Sequence, residues 1–193
     1  MGLFSNAEKA DLRRAFLQER QALAIATWEH KSLQLCQHLQ TAPIFTTAQT
    51  VLAYFSVRQE PDLAPLFGLD KTWGFPRCVG QDLTWHQWSA DSAWPRQQNR
   101  YGIWEPHPAA PPIAAAQVDL ILVPAIACDF RGYRLGYGGG FYDRLLSASP
   151  WQSQYTVGII FETARVPELP KDAWDQRLNA VCTENGFFFT QDC

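Results

Sequence analysis

The sequence is first notable for what it lacks. No heptad or fixed-length repeat runs through its 193 residues, which excludes coiled-coil and solenoid architectures. The longest clean apolar run, Leu120 to Cys128, contains Pro124 and is far too short to span a bilayer. No basic stretch followed by an apolar core opens the chain, and Asn6 stands where a Met1-Gly2 myristoylation motif needs Ser or Thr. A cytoplasmic protein is therefore expected, without a membrane partner. Charge is also modest: 18% of residues are charged and the formal net charge is -3. That balance argues against a protein built to coat nucleic acid or an anionic surface. The five cysteines (Cys36, Cys78, Cys128, Cys182, Cys193) form no C-x-x-C and no Cys/His ligand spacing. They read as free thiols in a reducing compartment, most simply as small buried hydrophobes.

What is present suits one ordinary globular domain over residues 1–193, with 47% hydrophobic residues to build its core. Ser5 and Glu8 form a capping box that starts a helix carrying an apolar stripe of Leu12, Phe16 and Leu23. Lys9, Arg13 and Arg20 repeat that spacing as a basic stripe, for which a solvated face is the plain reading. A second helix is predicted over Thr27 to Leu39, with Trp28, Ser32, Leu35 and Leu39 facing inward. Strands are predicted at Thr50 to Ser56, Thr72 to Cys78, Leu83 to Trp88, Val118 to Cys128, Tyr155 to Phe161 and within Ala180 to Phe189. Residues 89 to 117 read as a long ordered loop, with Tyr101 and Trp104 as anchors. The alternation predicts an α/β fold: three layers, a largely parallel central sheet and helices on both faces. It is Rossmann-like in layout but has no dinucleotide fingerprint.

Five of the twelve glycines fall between Gly132 and Gly140, in RGYRLGYGGGFYDR. A tight turn needs one or two glycines. Gly136, Gly138, Gly139 and Gly140 together clear side chains from a row of backbone N–H groups ahead of a helix beginning near Phe141. Arg131, Arg134 and Arg144 bracket that row with fixed charge, so the segment reads as a phosphate cradle. It is not a Walker A loop, because no Lys follows. The third glycine of a dinucleotide motif is replaced by Phe141. Asp143 is, on spacing alone, equally a helix-dipole partner or a Mg²⁺ ligand. His30, His38, His86 and His107 are scattered, and neither H-E-x-x-H nor G-x-S-x-G occurs. A missing nucleophile is compatible with phosphoryl transfer, where positioning and charge neutralisation do most of the work.

The segment LILVPAIACDFRGYRLGYGGGFYDRLL resembles the signature of the 5-formyltetrahydrofolate cyclo-ligase family. Lys9 with Arg13, YFSVRQEPD around Glu60, Phe75-Pro76-Arg77, YGIWEP around Trp104 and WDQRLNAVCT from Asp175 fall in the same order. The resemblance implies ATP- and Mg²⁺-dependent closure of 5-formyltetrahydrofolate to 5,10-methenyltetrahydrofolate. In that chemistry the formyl oxygen attacks the γ-phosphate, N10 of the folate closes the ring, and ADP and phosphate are released. It implies ATP contacts at Lys9, Arg13, Arg134, Leu135, Gly136, Tyr137, Gly138, Gly139, Gly140, Phe141 and Tyr142, with Arg134 and Tyr142 as the catalytic pair. It further implies folate contacts at Phe55, Glu60, Trp104, Tyr137, Gly138, Gly139, Gly140 and Phe141, and magnesium at Asp143 and Asp175. A reduced folate is the expected partner, nucleic acid is not, and a monomer is expected.

Four positions depart from the family pattern. Asn179 stands where many members have a second Asp, Tyr137 and Gly139 where some are basic, and Leu63 where a polar residue is frequent. Tyr137 and Gly139 would shift phosphate contacts onto Arg131 and Arg134. Two competing readings remain at this stage. One is a sugar-phosphate isomerase or CoA-transferase-like enzyme on a related fold, which would need a carboxylate base in the loop and no ATP. The other is a regulator that kept the pocket and lost turnover, for which Asn179 is the argument.

Overall fold

Alternation of side chains across a central sheet decides where the core lies. In the computed structural model, which describes residues 6–100 and 102–190, the buried run Leu120-Ile121-Leu122-Val123 sends Leu120 and Leu122 to one face and Ile121 and Val123 to the other. A strand apolar on both faces must be covered on both, and the helices do this.

The chain begins with α1 (Asn6–Gln21) and α2 (Ile25–Thr41), followed by the short α3 (Pro43–Thr47) and strand β1 (Thr50–Leu52). A hairpin of β2 (Thr72–Val79) and β3 (Asp82–Gln87) comes next, then the two-residue strands β4 (Gln97–Gln98) and β5 (Trp104–Glu105). Strand β6 (Leu120–Pro124) returns to the sheet centre, and β7 (Ala127–Asp129) and β8 (Arg134–Leu135) lead to α4 (Phe141–Ser147). The chain closes with β9 (Tyr155–Ile159), β10 (Arg165–Val166), β11 (Ala180–Thr183) and β12 (Gly186–Phe189).

The main sheet has the order β12-β11-β9-β6-β1-β2-β3. Its inner pairs are parallel, and only the hairpin partners β3 and β12 run antiparallel at the edges. Ser32, Leu35 and Leu39 of α2 are buried on one face as the sequence predicts, joined by Cys36, while Trp28 is half-buried. Leu12, Phe16 and Leu17 of α1 and Leu145 and Leu146 of α4 cover the other. From β1 the chain builds outward in one direction through β2 and in the other through β6. The crevice beyond the carboxyl ends of β1 and β6 is therefore the switch point where ligands gather in such sheets. Among the described residues, no helix is long and apolar enough to cross a membrane.

Several boundaries differ from expectation. Leu23 lies beyond α1, whose buried stripe is completed by Leu17 instead, and Ser5 of the expected capping box lies outside the described residues. β1 ends at Leu52, the Ala53 N–H still donates to Gly74 O at 2.8 Å, and Tyr54 and Phe55 stay buried beyond the ladder. The predicted strand at Val118 to Cys128 is two strands. The chain breaks after Pro124, and β7 joins a second small sheet of order β10-β7-β8. Residues 89–117 are not wholly irregular, because β4 pairs with β5 there; Tyr101 falls outside the described residues. Cys36, Cys128 and Cys182 are buried, and burial pushes the first two thiols up to about 12; Cys78 is exposed, and Cys193 lies outside the described residues.

Candidate active site

Glu60 follows a strained turn at the end of β1. Its N–H donates to Val57 O at 3.0 Å, and the two residues between, Arg58 and Gln59, have φ of 48° and 55°. Left-handed backbone at two consecutive non-glycine residues costs on the order of 1–3 kcal/mol each and persists only where neighbours enforce it. Here Arg20 Nε donates to Arg58 O at 3.1 Å and Gln59 Nε2 to Leu23 O at 3.1 Å. Trp28 Nε1 donates to Glu60 O at 2.8 Å. The turn holds the Glu60 carboxylate buried, at 2% exposure, with the Val57 N–H donating to its Oε2 at 3.1 Å. Burial raises its pKa; Arg20, the Tyr137 hydroxyl, the Val57 N–H and Arg58 all work against that rise.

The basic stripe of α1 faces inward, so the solvated-face reading is overturned. Lys9 Nζ lies 2.8 Å from Asp172 Oδ2 and 2.6 Å from Asp175 Oδ2. Burial alone would lower the Lys9 pKa, but these two carboxylates more than offset it and the net direction is up. Arg13 Nε donates to Gly136 O at 2.8 Å. Arg20 donates to Ala125 O at 3.2 Å and to Tyr137 Oη at 2.5 Å, bridging the loops after β1 and β6. Sequence reasoning placed Arg20 on the stripe yet gave a role only to Lys9 and Arg13. The common spacing was the signal for all three.

The glycine segment crosses the mouth of this crevice. Leu135 is buried, paired with Ala127 and accepting the Ile126 N–H at 2.8 Å, which sets it apart from the expected ATP contacts, while Gly138 and Gly139 at the tip are open to solvent. Gly138 has φ of 96°, and a Cβ there would sit 3.8 Å from the Arg13 guanidinium carbon. Gly140 caps α4 in the left-handed region at φ 66°. Phe141 lies under the Arg144 guanidinium at 5.2 Å. Tyr137, one residue beyond Gly136, donates its hydroxyl to Glu60 Oε1 at 2.8 Å. This bond ties the glycine loop to the buried carboxylate across 77 residues of chain. The Tyr142 hydroxyl is buried, and among the described residues it has no hydrogen-bond partner. Its ring lies beneath Arg134 at 5.8 Å and against Trp85 at 6.4 Å.

Not every expected arginine serves the cradle. Arg131 points away: its Nη2 and Nε reach Asp129 Oδ2 at 2.7 and 3.0 Å, and its Nη1 reaches Glu168 at 2.8 Å. Asp129 also accepts the N–H groups of Arg131, Tyr133 and Leu169, so this pair shapes the turn before the loop. Arg144 is occupied on Gln81 O. Arg134 remains, its side chain 4% exposed and its Nη2 2.9 Å from Asp143 Oδ1. Asp143 Oδ1 also accepts the N–H of Gln176, which places Asp143 beside the segment carrying Asp175. Among the described residues no group of three or more His, Cys, Asp or Glu gathers as a metal cage. Two carboxylates flanking a cationic, glycine-lined mouth suit Mg²⁺, which takes one or two carboxylates and completes its shell with phosphate and water. Asn179 lies apart from them: its Oδ1 accepts the N–H and hydroxyl of Thr156 at 2.8 and 2.9 Å, a contact that ties the start of β9 to the approach to β11. Its departure from the family pattern is thus a local packing choice.

Aromatic rings extend from the crevice floor to its rim. Phe55 stacks on Phe75 at 4.2 Å and meets Trp88 edge-on at 5.1 Å. Trp104, 37% exposed, stands at the rim, with the Arg96 guanidinium 4.7 Å above its ring. Contacts thus link Arg13 to Gly136, Glu60 to Tyr137, Arg134 to Asp143 and Lys9 to Asp175, so that α1, the glycine loop and the turn after β1 converge, while Phe55 and Trp104 are joined through Arg96. A buried carboxylate acceptor, an aromatic wall and a cationic glycine loop can together hold a flat heterocycle rich in N–H donors beside a polyphosphate.

Comparison with known proteins agrees with this geometry. A family model described as the 5-formyltetrahydrofolate cyclo-ligase family matches residues 5–184. The 5-formyltetrahydrofolate cyclo-ligase of Escherichia coli (strain K12) is 32% identical over 177 residues, covering 86% of this chain and 94% of that protein. The match to the Haemophilus influenzae protein of that name is 39% identical over 82 residues, spanning 42% of this chain and 44% of that protein. The NMR structure of Aquifex aeolicus 5,10-methenyltetrahydrofolate synthetase shares 30% identity and a TM-score of 0.83, covering 96% of this chain and 94% of that one. The chain belongs to the 5-formyltetrahydrofolate cyclo-ligase family, and by that membership it is a ligase.

Proposed function

We propose that this chain closes 5-formyltetrahydrofolate to 5,10-methenyltetrahydrofolate at the expense of ATP, releasing ADP and phosphate. The observation that carries the reading is the 2.8 Å bond from the Tyr137 hydroxyl to Glu60. The reaction requires the formyl oxygen and the γ-phosphate to meet, and this bond joins the group suited to the pterin to the loop suited to the phosphates. The isomerase and CoA-transferase-like readings would want a free carboxylate base in the glycine loop. Asp143, the acid beside that loop, is engaged by Arg134 instead.

Glu60 accepts hydrogen bonds from the pterin amino and ring N–H groups, fixing the ring's orientation. Phe55 and Trp104 flank the rings and exclude water. The backbone of Gly136 to Gly140, with Arg13, Lys9 and Arg134, holds the triphosphate. The formyl oxygen bonds to the γ-phosphorus as the bond to the ADP oxygen breaks. N10 then adds to the activated formyl carbon, the carbon–oxygen bond breaks, phosphate departs with that oxygen, and the N10 proton is lost. Arg134, largely desolvated, stabilises the charge that builds on the transferring phosphoryl oxygens. Asp143 and Asp175 would hold Mg²⁺, which supplies charge neutralisation on the phosphates. Their present partners, Arg134 and Lys9, would exchange carboxylate for phosphate when the nucleotide binds. The Tyr142 ring packs beneath Arg134 and sets its height, a positioning part rather than proton transfer.

Purified protein mixed with 5-formyltetrahydrofolate, ATP and Mg²⁺ is expected to form methenyl product, followed by its near-ultraviolet absorbance. Binding of both ligands without turnover at stoichiometric enzyme would support the regulator instead. Arg134→Ala is expected to lower kcat/KM by about 2–4 kcal/mol of transition-state stabilisation, the scale of one charge-stabilising donor. An unchanged value would place Arg134 off the phosphate path. The pH profile of kcat/KM tests Glu60, which must be ionised to accept the pterin donors. Burial already sets its pKa high, so the acid limb is expected above that of an ordinary Glu. Tyr137→Phe removes a hydrogen bond to the charged form and should move that limb further up, by about one pH unit. A limb that stays fixed or moves down would separate Glu60 from substrate binding.

A further inference from the structure

The crevice is graded in chemistry from floor to rim. Exposure rises along the three side chains assigned to the folate: Glu60 is 2% exposed, Phe55 7% and Trp104 37%. Arg96, exposed, lies over all of these rings, its guanidinium carbon 5.4 Å from the Phe55 ring, 5.7 Å from Trp88 and 4.7 Å from Trp104. Arg96 is placed by structure rather than by chance. It directly precedes β4, whose Gln98 is paired with Trp104 of β5. Among the described residues Arg96 forms no ion pair, whereas Arg77, Arg131, Arg134 and Arg165 each do. A cation held over rings with no counter-ion is poised to accept one, because a cation–π contact at an exposed site is weak beside a two-pronged bond to a carboxylate.

A reduced folate carries the same sequence of groups: a donor-rich pterin, an aromatic linker and a glutamate bearing carboxylates. With the pterin on Glu60, an aminobenzoyl ring placed against Phe55 and Trp104 takes the place of the Arg96 guanidinium, which turns outward to meet the anionic end. Resting on the function proposed above, we propose that Arg96 is a specificity-determining residue that binds the glutamate carboxylate of the substrate and selects for folates bearing that anionic tail. The rings keep its guanidinium at the rim until the tail arrives, which limits the side-chain freedom lost on binding.

Steady-state kinetics at saturating ATP test this with two substrates, 5-formyltetrahydrofolate and its tail-less analogue 5-formyltetrahydropteroate. Arg96→Gln is expected to raise KM for the tailed substrate on the order of tenfold, the effect of one charge-assisted hydrogen bond, while kcat holds. KM for the tail-less analogue should not move, and Arg96→Lys should recover part of the loss because it retains the charge. An equal rise in KM for both substrates would make Arg96 part of the ring wall only and overturn the proposal, as would no rise for either. Failure of the native protein to turn over either substrate would instead overturn the proposed function, and the tail assignment with it.

Discussion

A buried carboxylate has to be held in place, and much of the site follows from how Glu60 is held. Desolvation alone would drive it neutral, and a neutral carboxyl would no longer present two acceptor oxygens to a donor-rich ring. Arg20 supplies the nearby compensating charge. The same guanidinium secures the left-handed turn through Arg58 O and fixes Tyr137 through its hydroxyl. It also reaches Ala125 O, in the loop after β6. One side chain of α1 thus joins the two loops that leave the sheet at its switch point and the glycine loop above them. Helix α1 is positioned for this by Leu12, Phe16 and Leu17, which pack on the sheet face it covers. Burial of that stripe therefore aims the charged one.

The same economy governs the cations and carboxylates at the mouth. Lys9 with Asp175 and Arg134 with Asp143 are matched pairs, each largely shielded from water. Shielded pairs of this kind add little net stability, since desolvation offsets most of their attraction. Under the proposed function their value would be preorganisation. Both signs stand ready where an anionic phosphate chain and its metal would arrive together, so the partners can be exchanged without large rearrangement. The pairing also supplies a reason for the polyphosphate and the metal to enter jointly: either one alone would leave an unpaired partially buried charge.

Much of this was legible in the sequence because local patterns were strong. The apolar strand at Leu120 to Val123, the inner face of α2 and the helix that starts at Phe141 after the glycine cluster each depend on short-range spacing, and the structure places them as that spacing requires. What escaped depends on long-range contact. The Arg58-Gln59 turn carries neither glycine nor asparagine, so nothing local marks it; anchors from α1 and from Leu23 beyond it create it. Arg131 looked like a phosphate ligand until Asp129, buried two residues earlier, claimed it. The break after Pro124 was hidden inside an unbroken apolar run, because both small sheet and main sheet are buried there. Of the tryptophans, Trp28 turned out to hold the Glu60 backbone and Trp88 to line the aromatic wall. Trp174 stays exposed beside Asp175.

Under the proposed function both substrates meet where the glycine loop touches the buried carboxylate. The direct measurement is a crystal structure of the protein with 5-formyltetrahydrofolate, Mg²⁺ and a non-hydrolysable ATP analogue. The account predicts the pterin on Glu60, with the formyl oxygen about 3–3.5 Å from the γ-phosphorus, a near-attack separation. A triphosphate bound away from Gly136 to Gly140, or a pterin that makes no contact with Glu60, would contradict it.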